Sequence, residues 1–275
     1  MRQLFLPNKR VNVYDFDQVL NMGHIFDIRL AKAYENWNRS PKGLRMESFI
    51  EKMILETLKP FKHESVIDIG CGSGNHLLLA HRFGMDITGI DASPYMLSLA
   101  RDRLGNKCEL KKANAEDIPY EDNEFDLAFL INTLEFLDNP LSVLEEAGRV
   151  AKKGIFIIIF NSASRYCRWQ KICGMFRRNL FSHARPYSLW EIKRLIKKAY
   201  GPVPVTWQSE YLLSAFFNKL GIPLISRGIS MPFGYLIGIS VTLKYRYKTD
   251  NLFLKEKIGR SKNPVMEGIQ ISDSK

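Results

Sequence analysis

Short apolar runs alternate with helical patterns through the middle of the chain. Between residues 65 and 160, runs rich in β-branched and aromatic residues are separated by segments whose apolar residues recur every three or four positions. Strand–helix alternation at this spacing is typical of βαβ units, in which helices cover both faces of a parallel sheet. The pattern predicts strands at 65–70, 86–91, 107–111, 125–131 and 154–160, and helices at 75–83, 94–104 and 140–150.

The two ends of the chain follow a different pattern. Residues 1–60 are helical in character and include an amphipathic segment at 47–58. Residues 188–200 predict another helix, and a pair of strands follows at 203–209 and 236–245. We therefore predict three parts: an N-terminal helical cap at 1–60, a domain at 61–249 with insertions at about 161–187 and 210–235, and a C-terminal tail at 250–275.

Positive charge is concentrated in the second part of the chain. The 275 residues carry a net charge of +11; residues 1–160 contain 20 Lys+Arg and 23 Asp+Glu, whereas residues 161–275 contain 20 and 6. This asymmetry favours an anionic partner, such as a substrate, a phospholipid surface or a nucleic acid, although a solvated basic face has the same composition. The four cysteines form no CxxC pair, so we expect no disulfide framework, no metal site and a cytoplasmic location.

A basic, aromatic segment stands at 165–185. Its apolar residues form one stripe if the segment is helical, because Tyr166, Trp169 and Ile172 recur at a spacing of three. Arginines surround this stripe, as in helices that lie on an anionic membrane surface. A lid over an apolar substrate, or a helix packed on the domain, has the same pattern. We expect no transmembrane span, because charged residues and prolines interrupt the apolar residues of 211–249.

The sharpest local motif is a glycine-rich turn after the first predicted strand. Gly70, Gly72 and Gly74 occupy alternate positions and open the following helix. Glycines allow a tight turn and a close approach of the backbone to a ligand, and the helix N-terminus presents free N–H groups. Asp68 precedes the turn, and Asp91 ends the second strand, where a carboxylate can accept both hydroxyls of a ribose. Together these residues predict a site for a nucleoside-containing cofactor.

Five motifs follow one another in the order of a known family. They are the glycine-rich turn at 68–74, GIDASPYM at 89–96, NAEDIP at 114–119, FDLAF at 125–129 and LEFLDNP at 134–140. The set closely resembles the class I S-adenosylmethionine-dependent methyltransferases, in the branch with small-molecule enzymes. The resemblance implies an α/β, Rossmann-like three-layer sandwich. Its seven-stranded sheet is mostly parallel with an antiparallel last strand, here with N-terminal helices and a helical insertion.

The resemblance also implies which residues hold S-adenosylmethionine. It assigns the methionine part to Asp68 and the glycine-rich turn, and the ribose to Asp91. Many relatives have an aspartate where Asn114 stands, but an amide can still accept from an amino group. The full implied set is Asp68, Gly70, Cys71, Gly72, Gly74, Asp91, Ala92, Met96, Asn114, Ala115, Glu116, Asn132 and Thr133, with Tyr34 and Trp37 as an N-terminal aromatic cover.

The motifs identify no catalytic residue. Many relatives have a histidine where Phe136 stands, which removes one candidate base. Glu135, His183 and Tyr187 are the remaining candidates for a base or a substrate contact. We expect methyl transfer to a small-molecule acceptor, apolar or anionic. The alternatives are an RNA or protein methyltransferase, disfavoured because no NPPY-like motif follows the fourth strand, and a non-catalytic, membrane-associated protein that binds the cofactor.

Overall fold

The computed structural model describes residues 26–58, 63–164, 184–210 and 232–243. The chain divides after Tyr245, and the second unit, Arg246–Lys275, lies outside these ranges together with residues 1–25 and most of the basic segment. Within them, seven strands form one sheet in the order β3-β2-β1-β4-β5-β7-β6. The strands are β1 Ser65–Ile69, β2 Asp86–Asp91, β3 Glu109–Lys112, β4 Phe125–Ile131, β5 Ala151–Phe160, β6 Val205–Glu210 and β7 Leu236–Thr242.

The sheet is mixed in the predicted way. Strands β1 to β5 pair in parallel, whereas β7 runs antiparallel to both β5 and β6. The predicted fold class is therefore confirmed. The helices are α1 Ile28–Asn38, α2 Pro41–Leu58, α3 Asn75–Arg82, α4 Pro94–Leu104, α5 Pro140–Val150 and α6 Leu189–Tyr200, with short 3-10 turns at Gly105–Lys107 and Leu134–Phe136.

Two apolar layers hold helices against opposite faces of the sheet. Successive side chains of a strand point to opposite faces, and β5 shows this clearly. Ile155 and Ile157 belong to the cluster that includes α5 and α6, whereas Phe156 and Ile158 belong to the cluster that includes α2, α3 and α4. Burial on both faces explains why the strand reads as an almost continuous apolar run.

Local signals placed most element ends correctly. Ser93 accepts from the Met96 N–H at 3.2 Å and caps α4, and Ser188 caps α6 with a full capping box. Strand β3 begins two residues later than predicted, because the 3-10 turn occupies Gly105–Lys107. Strand β5 begins three residues earlier, because Ala151 pairs with Phe125.

The parallel strands end along one side of the sheet, here called the carboxyl edge. The loops that follow β1, β2, β3 and β4 all start there, so residues far apart in the sequence meet at this edge. Open α/β sheets bind ligands at this position. No helix within the described ranges is long and apolar enough to span a bilayer.

Candidate functional site

A cavity of about 830 Å³ opens at the carboxyl edge. Its walls come from the loops after β1, β2, β3 and β4, and the N-terminal helices α1 and α2 close one side. The volume lies within the range of small-molecule sites. Of the residues singled out in the sequence, those that line the cavity are Tyr34, Gly70, Cys71, Gly72, Asp91, Ala92, Met96, Asn114, Ala115, Glu116, Asn132 and Thr133.

The glycine-rich turn has the backbone that the motif predicted. Gly70, Gly72 and Gly74 all have positive φ angles, of 75°, 53° and 76°. A Cβ on Gly70 would lie 2.4 Å from the Thr133 Cγ2 atom, and one on Gly74 would lie 2.8 Å from Leu104 Cδ1. A Cβ on Gly72 would meet only the Met96 side chain, at 3.8 Å. Gly70 and Gly74 thus permit close packing, whereas Gly72 brings bare backbone to the cavity.

Asp91 ties this turn to the end of β2. Its Oδ2 atom accepts from the Gly72 N–H at 2.9 Å, and its Oδ1 atom accepts from the Ser93 N–H at 2.7 Å. Burial raises the pKa of the Asp91 carboxyl, and the two N–H donors partly offset this. Each oxygen keeps a second lone pair, so the carboxylate can accept hydroxyl donors in the cavity while it holds the turn.

Asp68 lies beneath the turn rather than in the cavity wall. Its side chain is buried, and neither carboxylate oxygen has a hydrogen-bond partner within the described part of the chain. Burial raises the pKa of Asp68 to about 7, His76 lowers it, and Asp91 raises it further. The structure therefore does not bring Asp68 to the cavity surface, because the β1 strand end and the turn above it enclose the side chain.

The loop after β4 supplies the opposite wall. Asn132 has a φ of 53°, its amide atoms are buried, and its side chain lies close enough to the Glu135 carboxyl to lower that group's pKa. Asparagine tolerates this left-handed conformation better than most residues. The neighbouring Thr133 hydroxyl donates to the Ile69 carbonyl at 2.9 Å and so fastens this loop to the end of β1.

Glu135 is buried behind this wall. Its Oε1 atom accepts from the Phe160 N–H at 2.6 Å, whereas its Oε2 atom has no hydrogen-bond partner among the residues described. Burial raises the pKa of Glu135 to about 8, against the lowering effect of the Phe160 N–H. Glu135 does not line the cavity, so the structure gives this predicted base candidate no direct access to a ligand.

The other two catalytic candidates are Tyr187 and His183. Tyr187 is buried, and its hydroxyl lies 3.4 Å from the Leu134 carbonyl, so it packs in the core and does not line the cavity. The sequence did not show that Tyr187 forms a parallel β-bridge with Asn161, which places Tyr187 within the layer of the sheet. His183 lies outside the described residues.

Aromatic residues of the N-terminal helices cover the cavity. Tyr34 lines it, as predicted, and Phe26 packs edge-on against both Tyr34 and Phe136, with ring centroids 5.9 and 5.4 Å apart. Trp37 stacks on Tyr34 from behind at 6.3 Å and does not line the cavity, nor does Gly74. The sequence motifs did not reveal Phe26, because nothing in its local pattern marks it.

Sequence reasoning also missed Glu47 and His76. Both line the cavity, and the His76 Nε2 atom lies 3.4 Å from the Glu47 Oε2 atom. Burial lowers the pKa of His76, but the Glu47 carboxylate more than offsets this, so the pKa is raised overall. The only available signal was a histidine in the first turn of the helix after the glycines, which by itself predicts no partner on α2.

The comparisons with known proteins agree with this geometry. Residues 67–159 match the family model described as "Methyltransferase domain". These residues thus form a methyltransferase domain, and the sheet has the fold of the class I S-adenosylmethionine-dependent methyltransferases. The solved structure of an S-adenosylmethionine-dependent methyltransferase from Thermotoga maritima is similar with a TM-score of 0.58 and 25% identity, covering 79% of this chain and 98% of that one.

Two curated relatives carry more specific names. A sterol 4-C-methyltransferase of Caenorhabditis elegans is 28% identical over 44% of this chain and 38% of its own length. A demethylmenaquinone methyltransferase of Tropheryma whipplei is 29% identical over 52% of this chain and 62% of its own length. The chain therefore spans less than two thirds of the length of these relatives.

The family implies S-adenosylmethionine as the cofactor of the methyltransferase domain, and the cavity fits this molecule. Gly72 leaves space where a side chain would stand, Asp91 retains lone pairs for hydroxyl groups, and Asn132 lines the cavity with an amide. A ligand that carries a diol, an amino group and a carboxylate would satisfy such groups. The residues present are therefore compatible with the cofactor.

Proposed function

We propose that the chain transfers a methyl group from S-adenosylmethionine to a small-molecule acceptor. The observation that carries the proposal is the cavity at the carboxyl edge, where the glycine-rich turn and Asp91 form one wall and the loop with Asn132 forms the opposite wall. Its volume of about 830 Å³ leaves room for an acceptor beside a nucleoside. Both molecules would enter at the edge where the strands end.

The chain's own residues would divide the work of binding. Asp91 would hold the ribose hydroxyls, and Ala92 and Met96 would pack near the adenine, flanked by Asn114 and Ala115. Gly70, Cys71 and Gly72 would follow the methionine part with their backbone, and Glu116 would remain at the adenine side. Asp68, enclosed beneath the turn, would support the turn rather than contact the cofactor directly.

When bound, the cofactor supplies an electrophilic methyl group on its sulfonium. The protein then needs to hold the acceptor atom in line and keep water away, and such positioning contributes about 7–11 kcal/mol. Asn132 and Thr133 lie at the wall facing the acceptor space, and Phe136 and Phe160 give that space apolar sides. A base would add about 10²–10⁴-fold only where the acceptor atom carries a proton.

An apolar acceptor fits these walls best. Phe26, Ile50, Phe136, Leu137 and Phe160 line the cavity, and aromatic and aliphatic side chains gain most when an apolar molecule displaces water. The relatives named for sterols and demethylmenaquinone support the same class of acceptor.

Calorimetry with S-adenosylhomocysteine tests the cofactor site. Asp91→Ala should weaken binding more than about tenfold, because a charge-assisted hydrogen bond to a ribose hydroxyl is worth about 1.5–3 kcal/mol and the same carboxylate holds the glycine-rich turn. Asp86→Ala, at the exposed start of the same strand, is the matched control and should leave the dissociation constant unchanged. Equal affinity in wild type and Asp91→Ala would count against the site.

A transfer assay tests the acceptor class. The protein is incubated with methyl-labelled S-adenosylmethionine and with a sterol, a quinol, a hydrophilic amine or RNA. We expect label in the apolar acceptors and none in RNA. Label in RNA alone would overturn the small-molecule assignment, and binding without transfer to any class would indicate a cofactor-binding protein that does not catalyse.

A further inference from the structure

Large hydrophobic side chains are exposed mainly at one side of the molecule. Among the described residues, Ile28, Tyr95, Trp190 and Phe233 expose 46, 45, 55 and 53% of their surface. All four lie at the carboxyl edge, and we call them the apolar rim. A fifth, Leu44, is 60% exposed and borders a second groove, which runs along α3. Exposed apolar residues that gather around an opening mark an interaction surface more often than scattered ones do.

Ile28 and Tyr95 form the part of the rim beside β2. Tyr95 is the second residue of α4, which starts directly after β2 ends at Asp91. The Ser93 hydroxyl donates to the Phe26 carbonyl at 2.5 Å, so the chain just before Ile28 is fastened to the same strand end.

Trp190 and Phe233 form the part of the rim beside β5. The Tyr187 N–H donates to the Phe160 carbonyl at 3.1 Å, which fixes the start of α6 at the end of β5. The Asn161 side-chain amide donates to the carbonyls on both sides of Phe233, those of Pro232 at 2.8 Å and Gly234 at 2.7 Å.

The two parts of the rim stand on either side of the cavity. Strands β2 and β5 are separated by β1 and β4, which puts their ends roughly 14 Å apart at the usual strand spacing. The cavity walls include the loops after β1 and β4, between those two strand ends. An apolar surface that touched both parts would therefore cover the cavity mouth.

The charges near the apolar rim indicate the charge of the partner surface that would contact it. Arg185 is exposed just before α6 and Arg194 in its second turn, and the acidic Glu191 between them is exposed as well. The stretches 165–183 and 211–231 leave and rejoin the described chain at this edge, and their sequences contain seven Lys or Arg and no Asp or Glu. A partner for this side of the molecule is therefore anionic as well as apolar.

We propose that the carboxyl edge docks on an anionic phospholipid bilayer, with the apolar rim at the level of the headgroups. Tryptophan and tyrosine prefer this interface, and lysine and arginine side chains are attracted to anionic lipids there. Docking in this orientation places the cavity mouth against the bilayer, so an apolar acceptor reaches the cavity without crossing water. The proposal concerns where the protein works and stands apart from the identity of the reaction.

Vesicle binding tests the proposal without cofactor or acceptor. The full chain is sedimented with phosphatidylcholine vesicles that contain or lack phosphatidylglycerol. We expect binding that requires the anionic lipid and that falls as salt rises. The double variant Trp190→Ala/Phe233→Ala should lower the partition coefficient about tenfold or more, because it removes two interfacial aromatic side chains. Leu44→Ala, at an exposed apolar residue off the rim, should bind as wild type does.

The melting temperatures of the same variants separate the alternatives. Both alanine variants should melt like wild type, because their side chains are exposed. A large loss of thermal stability in the double variant would mean that another part of the chain covers the rim, and the proposal would fail. It would fail equally if no vesicle bound, or if vesicle binding depended on salt but not on Trp190 and Phe233. Failure here leaves the cofactor calorimetry unaffected.

Discussion

The two walls of the cavity are built in opposite ways. On the β2 side, both oxygens of Asp91 are occupied by backbone N–H groups that hold the glycine-rich turn. On the β4 side, Asn132 lies at the equivalent strand end with both amide atoms buried, and its side chain lowers the pKa of the Glu135 carboxyl behind it. The first wall, here called the scaffold wall, is held by backbone N–H groups and keeps lone pairs of Asp91 for a ligand. The second wall, here called the open wall, is made of side chains packed in front of a buried carboxyl.

This difference separates the wall that binds the cofactor from the wall that selects the acceptor. The scaffold wall uses backbone groups and one carboxylate, which suit any protein that binds this cofactor. The open wall uses side chains such as Asn132 and Phe136, whose polarity and shape determine which acceptor fits. The chemistry of the acceptor is therefore expected to depend on the β4 side. The following variants test whether substitutions in one wall affect the stability of the other wall and the binding of the cofactor.

Gly70→Ala should have the largest effect, because Gly70 joins the two walls. An alanine there combines a positive φ with a Cβ only 2.4 Å from Thr133, so we expect a loss of about 3 kcal/mol in unfolding free energy and a loss of cofactor affinity. Gly84→Ala is the matched control, since its φ is +80° but its nearest neighbour is 3.7 Å away. It should cost about 1 kcal/mol. Denaturant unfolding measures both.

A second substitution sharpens this result. Thr133→Ser removes the methyl group nearest to the new Cβ, so in the Gly70→Ala background it should recover part of the lost stability. Stability of Gly70→Ala equal to that of Gly84→Ala would show that the walls are not in close contact at this point.

Glu135 tests the support behind the open wall. Glu135→Leu should cost about 2 kcal/mol, because the buried Phe160 N–H loses its acceptor. Glu135→Gln keeps an acceptor oxygen and should cost less. Unfolding by urea at neutral pH compares the two, and equal losses would mean that packing rather than the hydrogen bond matters at this position.

The same residue makes stability depend on pH. Burial raises the pKa of Glu135 to about 8 in the folded protein, so folding favours the protonated form. Its contribution is complete below the ordinary glutamate pKa near 4.5 and is lost as the pH rises through about 8. Asp68, with its pKa raised to about 7, has the same sign. Glu135→Gln should therefore lose less stability than wild type between pH 5 and pH 9, and an unchanged pH profile would contradict the assignment.

Thr133→Val should have the smallest effect. It removes the 2.9 Å hydrogen bond to the Ile69 carbonyl while keeping the shape of the side chain, which is worth about 1 kcal/mol. Thr206→Val, at an exposed position of β6, is the control and should change stability by less than about 0.5 kcal/mol. A Thr133→Val variant as stable as wild type would show that the strand ends hold the loop without this bond.

Much of the fold could be predicted because its signals are local. The bounds of β4 and α5 follow from an apolar run and from a proline-led amphipathic helix, and both were predicted to the residue. The glycine-rich turn could also be predicted, because glycine adopts positive φ angles more readily than other residues do and three glycines stand at alternate positions. Strand ends at one edge of a parallel sheet then brought Asp91 and Asn132 to the same cavity.

Only the tertiary structure decided which side chains reach that cavity. Phe26, just before α1, and Glu47, on α2, lie outside the repeating strand–helix pattern, and no periodicity shows which face of α2 meets α3. Asp68 in β1 and Glu135 just after β4 are carboxylates near the cavity edge of the sheet, as a ligand site requires, yet packing encloses both side chains. Burial of a particular carboxylate depends on the summed positions of distant neighbours, whereas turns and strands depend on the backbone of a few consecutive residues. The sequence by itself determined the order of strands and helices and the glycine-rich turn, whereas long-range packing determined which side chains form the cavity walls.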